Sequence, residues 1–508
     1  MSESKHSHAF MFRHGPNAAT GSRRREETTI RIRKQKRAER LNKRRQRTFD
    51  ADLAAVVAPS DMTALQALAR TLESGPLAQQ YIAAQKVRKL LSKDDPPIHA
   101  VIRAGMVPSF VRHLGCADNP RLQFEATWVL TNLASDQTDS AQVVVDAGGM
   151  EALVPLLDSP DDDVREQSTW ALGNLSGDCI AFRDRALYLG MVPALLRNFR
   201  PQQQRATLTQ TMAWCMSNLC RGKPAPRFHV VEPLLGALSW LIQKDDEEAL
   251  ADTCWALSYI TEGGDECAQA VVDTGAAMRL VRLMEHPSPM IQTPAVRAVG
   301  NILTGADQPT QVVIDAGALP ILHRLLGHKK RAIKKEACWG LSNIAAGSRR
   351  QLQRLIDQGV LPKVVELLAS AEFAVKREAA WVIGNATALK DDAQIHQIVR
   401  AGAIHPMVDI MHSHDVKLIR VVLETLENVL EVGERAQMAR GLAVNLYAEL
   451  VESSGAVEHL EGLQDHEDES IYQQAVNILE RYFQDVDGGE EPAPAPVPVG
   501  FDFSAGFS

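Results

Sequence analysis

Residues 166–193 read EQSTWALGNLSGDCIAFRDRALYLGMVP, and two phrases inside this stretch recur along the chain. The first is a Trp followed four residues later by an Asn. It returns in FEATWVLTNLAS (124–135), TMAWCMSNLC (211–220), KEACWGLSNIAAG (335–347) and REAAWVIGNATA (377–388). Two variants keep its frame, ADTCWALSYITEG (251–263) and TPAVRAVGNILTG (293–305). The second phrase is a Gly with a Pro or small apolar residues after it: RAGMVP (103–108), DAGGM (146–150), DTGAA (273–277), DAGALP (315–320), DQGVLP (357–362) and RAGAIHP (400–406). The Trp residues of the frame stand at 128, 170, 214, 255, 339 and 381, in steps of 41–44 residues with one double step of 84.

A period near 42 residues lies in the range of armadillo and HEAT arrays. Each unit reads as helices punctuated by Gly, which suits a left-handed helix stop, and by Pro, which suits the first turn of the next helix. The expected fold is therefore all-α: an armadillo-type right-handed superhelical solenoid of about ten units over residues 62–485, with a concave groove. The fifth unit lacks the Gly phrase and has Val231-Glu232-Pro233 in its place. Outside the array we expect a disordered basic arm (1–50), a linker (51–61) and a flexible Pro/Gly-rich tail (486–508). Within the arm, RIRKQKRAERLNKRRQR (31–47) has helix formers but few apolar positions, so it should be helical only on a partner.

Composition narrows the function. Of 508 residues, 45% are hydrophobic, enough for a core, and 5% are aromatic, low for a β-sandwich. No apolar run reaches 18 residues and no signal peptide is visible at the N-terminus, so no membrane span or secretion is expected. Seven cysteines without a CxxC pair suit reduced thiols in the cytosol or nucleus. The net charge of −8 hides an asymmetry. Residues 1–50 carry 15 Lys and Arg against 5 Asp and Glu, a net of +10; the remainder carries 40 against 58, a net of −18. The arm can be a solvated tail that contacts nucleic acid, or a segment that lies on its own acidic body.

At about 100° per residue, the positions two and five after the Trp fall near 200° and 140° and are apolar: Leu130 and Leu133, Leu172 and Leu175, Met216 and Leu219. The Asn falls near 40° and the residue three before the Trp near 60°. A single Trp on a helix is usually a core residue. Five Trp-x-x-x-Asn pairs on the side away from the core stripe instead predict an exposed aromatic row, which marks a binding surface. The residue before each Asn is small (Thr131, Gly173, Ser217, Ser342, Gly384), which would let a ligand backbone approach.

Those residue types suit an extended basic peptide. Asn has donor and acceptor for peptide groups irrespective of sequence. Adjacent indole faces make slots for the stems of Lys or Arg, with cation–π attraction to the head. Asp178, four after Asn174, and Asp252, Glu336 and Glu378, each three before a Trp, are the candidate receivers of positive charge. The row is interrupted where Tyr259 takes the Asn place and Arg297 the Trp place. A ligand using both halves needs a linker of at least about six extended residues.

The WALGN-type ladder and the Ser176-Gly177-Asp178 phrase resemble the importin-α (karyopherin-α) family of nuclear import adaptors, over about residues 20–485. The resemblance implies a groove for Lys/Arg-rich nuclear localisation signals of cargo proteins. Its major site carries over to Trp128, Asn132, Trp170, Asn174, Asp178, Trp214, Asn218, Asp252 and Trp255. Its minor site carries over to Asn301, Glu336, Trp339, Asn343, Glu378, Trp381 and Asn385. Residues 20–50 resemble the importin-β-binding segment, with Arg31, Arg33, Lys34, Lys43, Arg44, Arg45 and Arg47 as its cations. In the family, a cluster such as KRRQR (43–47) occupies the major groove when importin-β is absent. Tethered about 15 residues from the array, it reaches an effective concentration near millimolar. The last unit, GLQDHEDESIYQQAVNILERYF (462–483), resembles the binding region for an export receptor that recycles the adaptor, and also suits a polar capping repeat. Shuttling between cytoplasm and nucleus follows from the same resemblance. Asp136, Thr211 and the tail residues Phe501, Phe503 and Phe507 depart from the family pattern.

Other classes fit less well. No P-loop, HExxH or GxSxG is present, and His286, His323 and His328 lack metal spacing, so no enzyme, cofactor or small-molecule substrate is expected. No aromatic residue interleaves the cations of 31–47, which leaves nucleic acid without a stacking platform. An armadillo scaffold of the cell-adhesion or signalling type is the main rival. Such grooves bind acidic ligands, whereas this body is acidic itself and favours cationic ones.

Overall fold

The computed structural model describes residues 62–93, 95–200 and 203–483. The arm with its cations Arg31 to Arg47, the linker 51–61 and the tail 486–508 lie outside the described residues. All regular structure among the described residues is helical. The chain divides between Ala298 and Val299 into two compact units.

Each repeat closes with a long helix, ten among the described residues. They are α1 (Leu77–Leu90), α2 (Pro120–Ala134), α3 (Asp162–Ser176), α4 (Ala206–Cys220), α5 (Glu247–Thr261), α6 (Pro289–Thr304), α7 (Arg331–Ala345), α8 (Phe373–Thr387), α9 (Val416–Arg440) and α10 (Glu469–Tyr482). Within the first unit, α1 packs on α2, α2 on α3, α3 on α4 and α4 on α5. Within the second, α7 packs on α8, α8 on α9 and α9 on α10. Two shorter helices precede most of them, such as Ile180–Tyr188 and Met191–Asn198 before α4.

The sequence explains the joints. Between the two short helices stands the recurrent Gly in the left-handed region, at Gly190 with φ 79° and Gly317 with φ 94°, where a Cβ would be strained. The fifth repeat solves the same turn without it: Glu232 and Pro233 stay right-handed between Phe228–Val231 and Leu234–Leu241. Starts are capped by side chains, Asn119 accepting from the Leu122 N–H and Asp161 from the Asp163 and Val164 N–H groups. The expected core stripe is closed to solvent, with Leu130, Leu133, Leu172, Leu175, Met216 and Leu219 all at 0% exposure. At 25 residues α9 is much longer than its counterparts, a length that no turn signal in the sequence announces.

Candidate functional site

The long helices present the Trp, the Asn and the position three before the Trp on one face, but that face turns toward the preceding repeat. Asn174 donates its Nδ2 to the Thr131 carbonyl (3.3 Å), and Asn218 to the Gly173 carbonyl (2.9 Å). In the second unit, Asn343 donates to the Gly300 carbonyl (3.4 Å) and Asn385 to the Ser342 carbonyl (2.9 Å). Each acceptor is the residue just before the Asn position of the previous repeat. Gln167, three before Trp170, joins the same seam by donating to the Thr131 hydroxyl (2.8 Å).

This geometry corrects two expectations. The indoles are not an exposed row: Trp128, Trp170, Trp214 and Trp255 are only 7–9% exposed, and Trp339 and Trp381 are half-buried. A wheel drawn for one helix omits the preceding repeat, which is where the indoles pack. The small residues before the Asn likewise seat the following Trp rather than a ligand. A Cβ on Gly173 would stand 2.2 Å from Cζ3 of Trp214, and one on Gly300 would stand 2.3 Å from Cζ3 of Trp339. Gly384 performs the same service for Val421, at 2.5 Å. Gly177, the middle of the Ser-Gly-Asp phrase, would meet the Asn218 amide at 2.6 Å. The seam needs glycine because backbone-anchored rings and amides cannot retreat.

The remaining candidates fall on the same helices. Asn132, Asp252, Asn301 and Glu336 are buried, and Asp178 is half-buried just after α3. Glu378 lies 3.5 Å from both the Lys335 ammonium and the Arg377 guanidinium. Burial pushes its carboxyl above the usual range, against the opposing pull of these two cations. Tyr259, in the Asn place, stacks on Trp255 with ring centroids 5.7 Å apart. Glu125, not among the residues expected from the sequence, is in the same register as Asp252, Glu336 and Glu378. Its carboxylate pairs with Arg88 of α1 in a nearly buried contact. The signal was the shared spacing, three residues before a Trp.

An ionic, polar and aromatic edge of this kind can hold an extended cationic chain. One donor of each seam-bonded carboxamide is spent on the neighbouring repeat, which orients the group, and its oxygen remains an acceptor type. Trp128 and Trp170 carry buried indole N–H groups with no acceptor among the described residues.

Comparison with known proteins defines the class first. The Armadillo/beta-catenin-like repeat model matches residues 94–135, 137–177, 264–304, 306–346 and 348–388, and an atypical Arm repeat matches 445–496. A solved engineered protein superposes with a TM-score of 0.72 at 26% identity, covering 82% of this chain and 98% of its own. The fold is that of an armadillo-repeat protein. The importin beta binding domain model matches residues 11–93, running from the arm through α1. Importin subunit alpha-2 of Arabidopsis thaliana is 46% identical over 503 residues, which span 96% of this chain and 94% of the relative. Importin subunit alpha-1b of Oryza sativa subsp. japonica is 42% identical over 441 residues, spanning 86% and 82%. The chain belongs to the importin-α family.

Proposed function

We propose that this protein is a non-catalytic nuclear import adaptor. It holds a Lys/Arg-rich cargo signal, extended, along the Trp/Asn helices and binds importin-β through its N-terminal arm. The observation that carries the reading is the importin beta binding match at residues 11–93, joined in one chain to an acidic array with a regular Trp/Asn frame. Trp128, Asn132, Trp170, Asn174, Asp178, Trp214, Asn218, Asp252 and Trp255 form the first cargo site in this reading. Asn301, Glu336, Trp339, Asn343, Glu378, Trp381 and Asn385 form the second. Cations of the arm, Lys43, Arg44, Arg45 and Arg47 foremost, compete with cargo for the first site and surrender it when importin-β takes the arm. The C-terminal repeat serves an export receptor, and the protein cycles between cytoplasm and nucleus.

Anisotropy of a labelled Lys-rich peptide tests this. Replacing Lys43, Arg44, Arg45 and Arg47 by Ala should tighten peptide binding to the full chain and weaken importin-β binding. Adding Trp170→Ala should then weaken the peptide by about 1–3 kcal/mol, from lost cation–π and packing contacts. Unchanged peptide affinity in both variants refutes the reading.

A further inference from the structure

Arg88 reaches from α1 to α2. Its guanidinium carbon lies 4.8 Å from the centroid of the Trp128 ring, and its Nε donates to Glu125. The side chains are 10% and 5% exposed, so the pair is almost withdrawn from water but still reaches the surface at the arginine. Phe124 meets the same indole edge-on, with centroids 5.3 Å apart. The chemistry of this corner is that of a cation slot: an indole face, and a carboxylate three residues before it. Here the occupant is the protein's own arginine, supplied by the preceding repeat.

We propose that Arg88 is a resident cation that fills the first slot of the ladder, and so fixes where a bound basic peptide must stop. The inference rests on the cargo-site reading above and adds to it a residue that sets peptide register. With Arg88 in place, the face of the Trp128 ring that it covers is closed to a ligand's cation. A cation extending further would have to displace a guanidinium already neutralised by Glu125, and an ion pair this buried is costly to break. At the other end of the first unit's row, Tyr259 covers a face of Trp255 by stacking. The two ends are thus closed by different means, one by charge and one by an aromatic ring.

The experiment uses the full chain carrying the four Ala replacements at Lys43, Arg44, Arg45 and Arg47, so that the arm does not compete. Two kinds of labelled peptide are compared by anisotropy: a Lys-rich core peptide, and the core lengthened by two residues ending in Lys at its N-terminal or its C-terminal end. The parent should bind core and lengthened peptides alike. Arg88→Met keeps most of the packing volume, frees Glu125 and uncovers the indole. One of the two lengthened peptides should then bind about threefold to tenfold tighter than the core, in keeping with one added cation–π contact and ion pair. Leaving Glu125 unpaired can unfold that variant. Arg88→Met combined with Glu125→Gln removes the lone carboxylate and leaves the indole face alone, for which about a twofold gain is expected. Equal binding of core and lengthened peptides by whichever variant folds overturns the role of Arg88 while leaving the cargo site standing. A core peptide that fails to bind the parent, or that ignores Trp170→Ala, overturns both.

Discussion

Gly173→Ala is the sharpest probe of how the repeats lock together. Taken alone, Ala is the better residue inside a helix by about 1 kcal/mol. In this fold its Cβ would stand 2.2 Å from Cζ3 and 2.6 Å from Cε3 of Trp214, and 2.7 Å from Sγ of Cys215. None of these atoms ends a flexible chain, so α4 must shift as a whole or Trp214 must leave its rotamer, at about 1–3 kcal/mol for overpacking. Gly236, inside the helix Leu234–Leu241, is the matched control, because a Cβ there meets nothing within 4 Å. Gly236→Ala should be neutral or stabilising. The helix-propensity gain is common to both variants, so their difference isolates the clash, about 1–3 kcal/mol. Urea unfolding followed by far-UV circular dichroism reads it as a lower midpoint for Gly173→Ala and an equal or higher one for Gly236→Ala. Equal midpoints for the two variants would refute the seated-indole account of the small positions.

Two further outcomes follow from the site. Asn218→Ala should cost about 0.5–1.5 kcal/mol in the same urea assay, the net worth of one hydrogen bond, because the Gly173 carbonyl loses the Asn218 amide while keeping the Gly177 N–H; a change below about 0.5 kcal/mol would count against the seam bond. Glu378 has a carboxyl raised by burial, so its charged form is disfavoured in the folded chain relative to the unfolded one. Stability should therefore be lost as pH rises from the ordinary glutamate range through the raised value. Glu378→Gln, which mimics the protonated acid, should gain on the wild type in melting temperature from pH 4 to 7, and a gap that stays flat or narrows would show that Lys335 and Arg377 outweigh the burial.

The period, the helical class and the left-handed glycines were legible because each leaves a mark in the local sequence: Gly190 and Gly317 sit where a chain must turn between two helices. The core stripe was legible for the same reason, since Leu172 and Leu175 lie on one side of their own helix. Exposure of the indoles was not, because it depends on a helix some forty residues away. Gly173 looked like room for a ligand, and it is room for Trp214. Arg88 was illegible for a related reason: nothing in α1 marks it as the partner of Glu125. The shared offset of Glu125, Asp252, Glu336 and Glu378 from the Trp place was visible throughout, but not that Glu125 pairs with Arg88 or that Glu378 lies beside Lys335 and Arg377.

The seam bonds also give the array a direction. Each of the four seam asparagines leans on the repeat before it: Asn174 holds Thr131, Asn218 holds Gly173, Asn343 holds Gly300 and Asn385 holds Ser342. Shortening the chain from its front therefore deprives the new leading rung of its brace, whereas shortening it from the rear only takes one of two donors from a carbonyl, as at Gly173 and Ser342. The two ends of such a stack are therefore held by different means, even though the repeats themselves are alike.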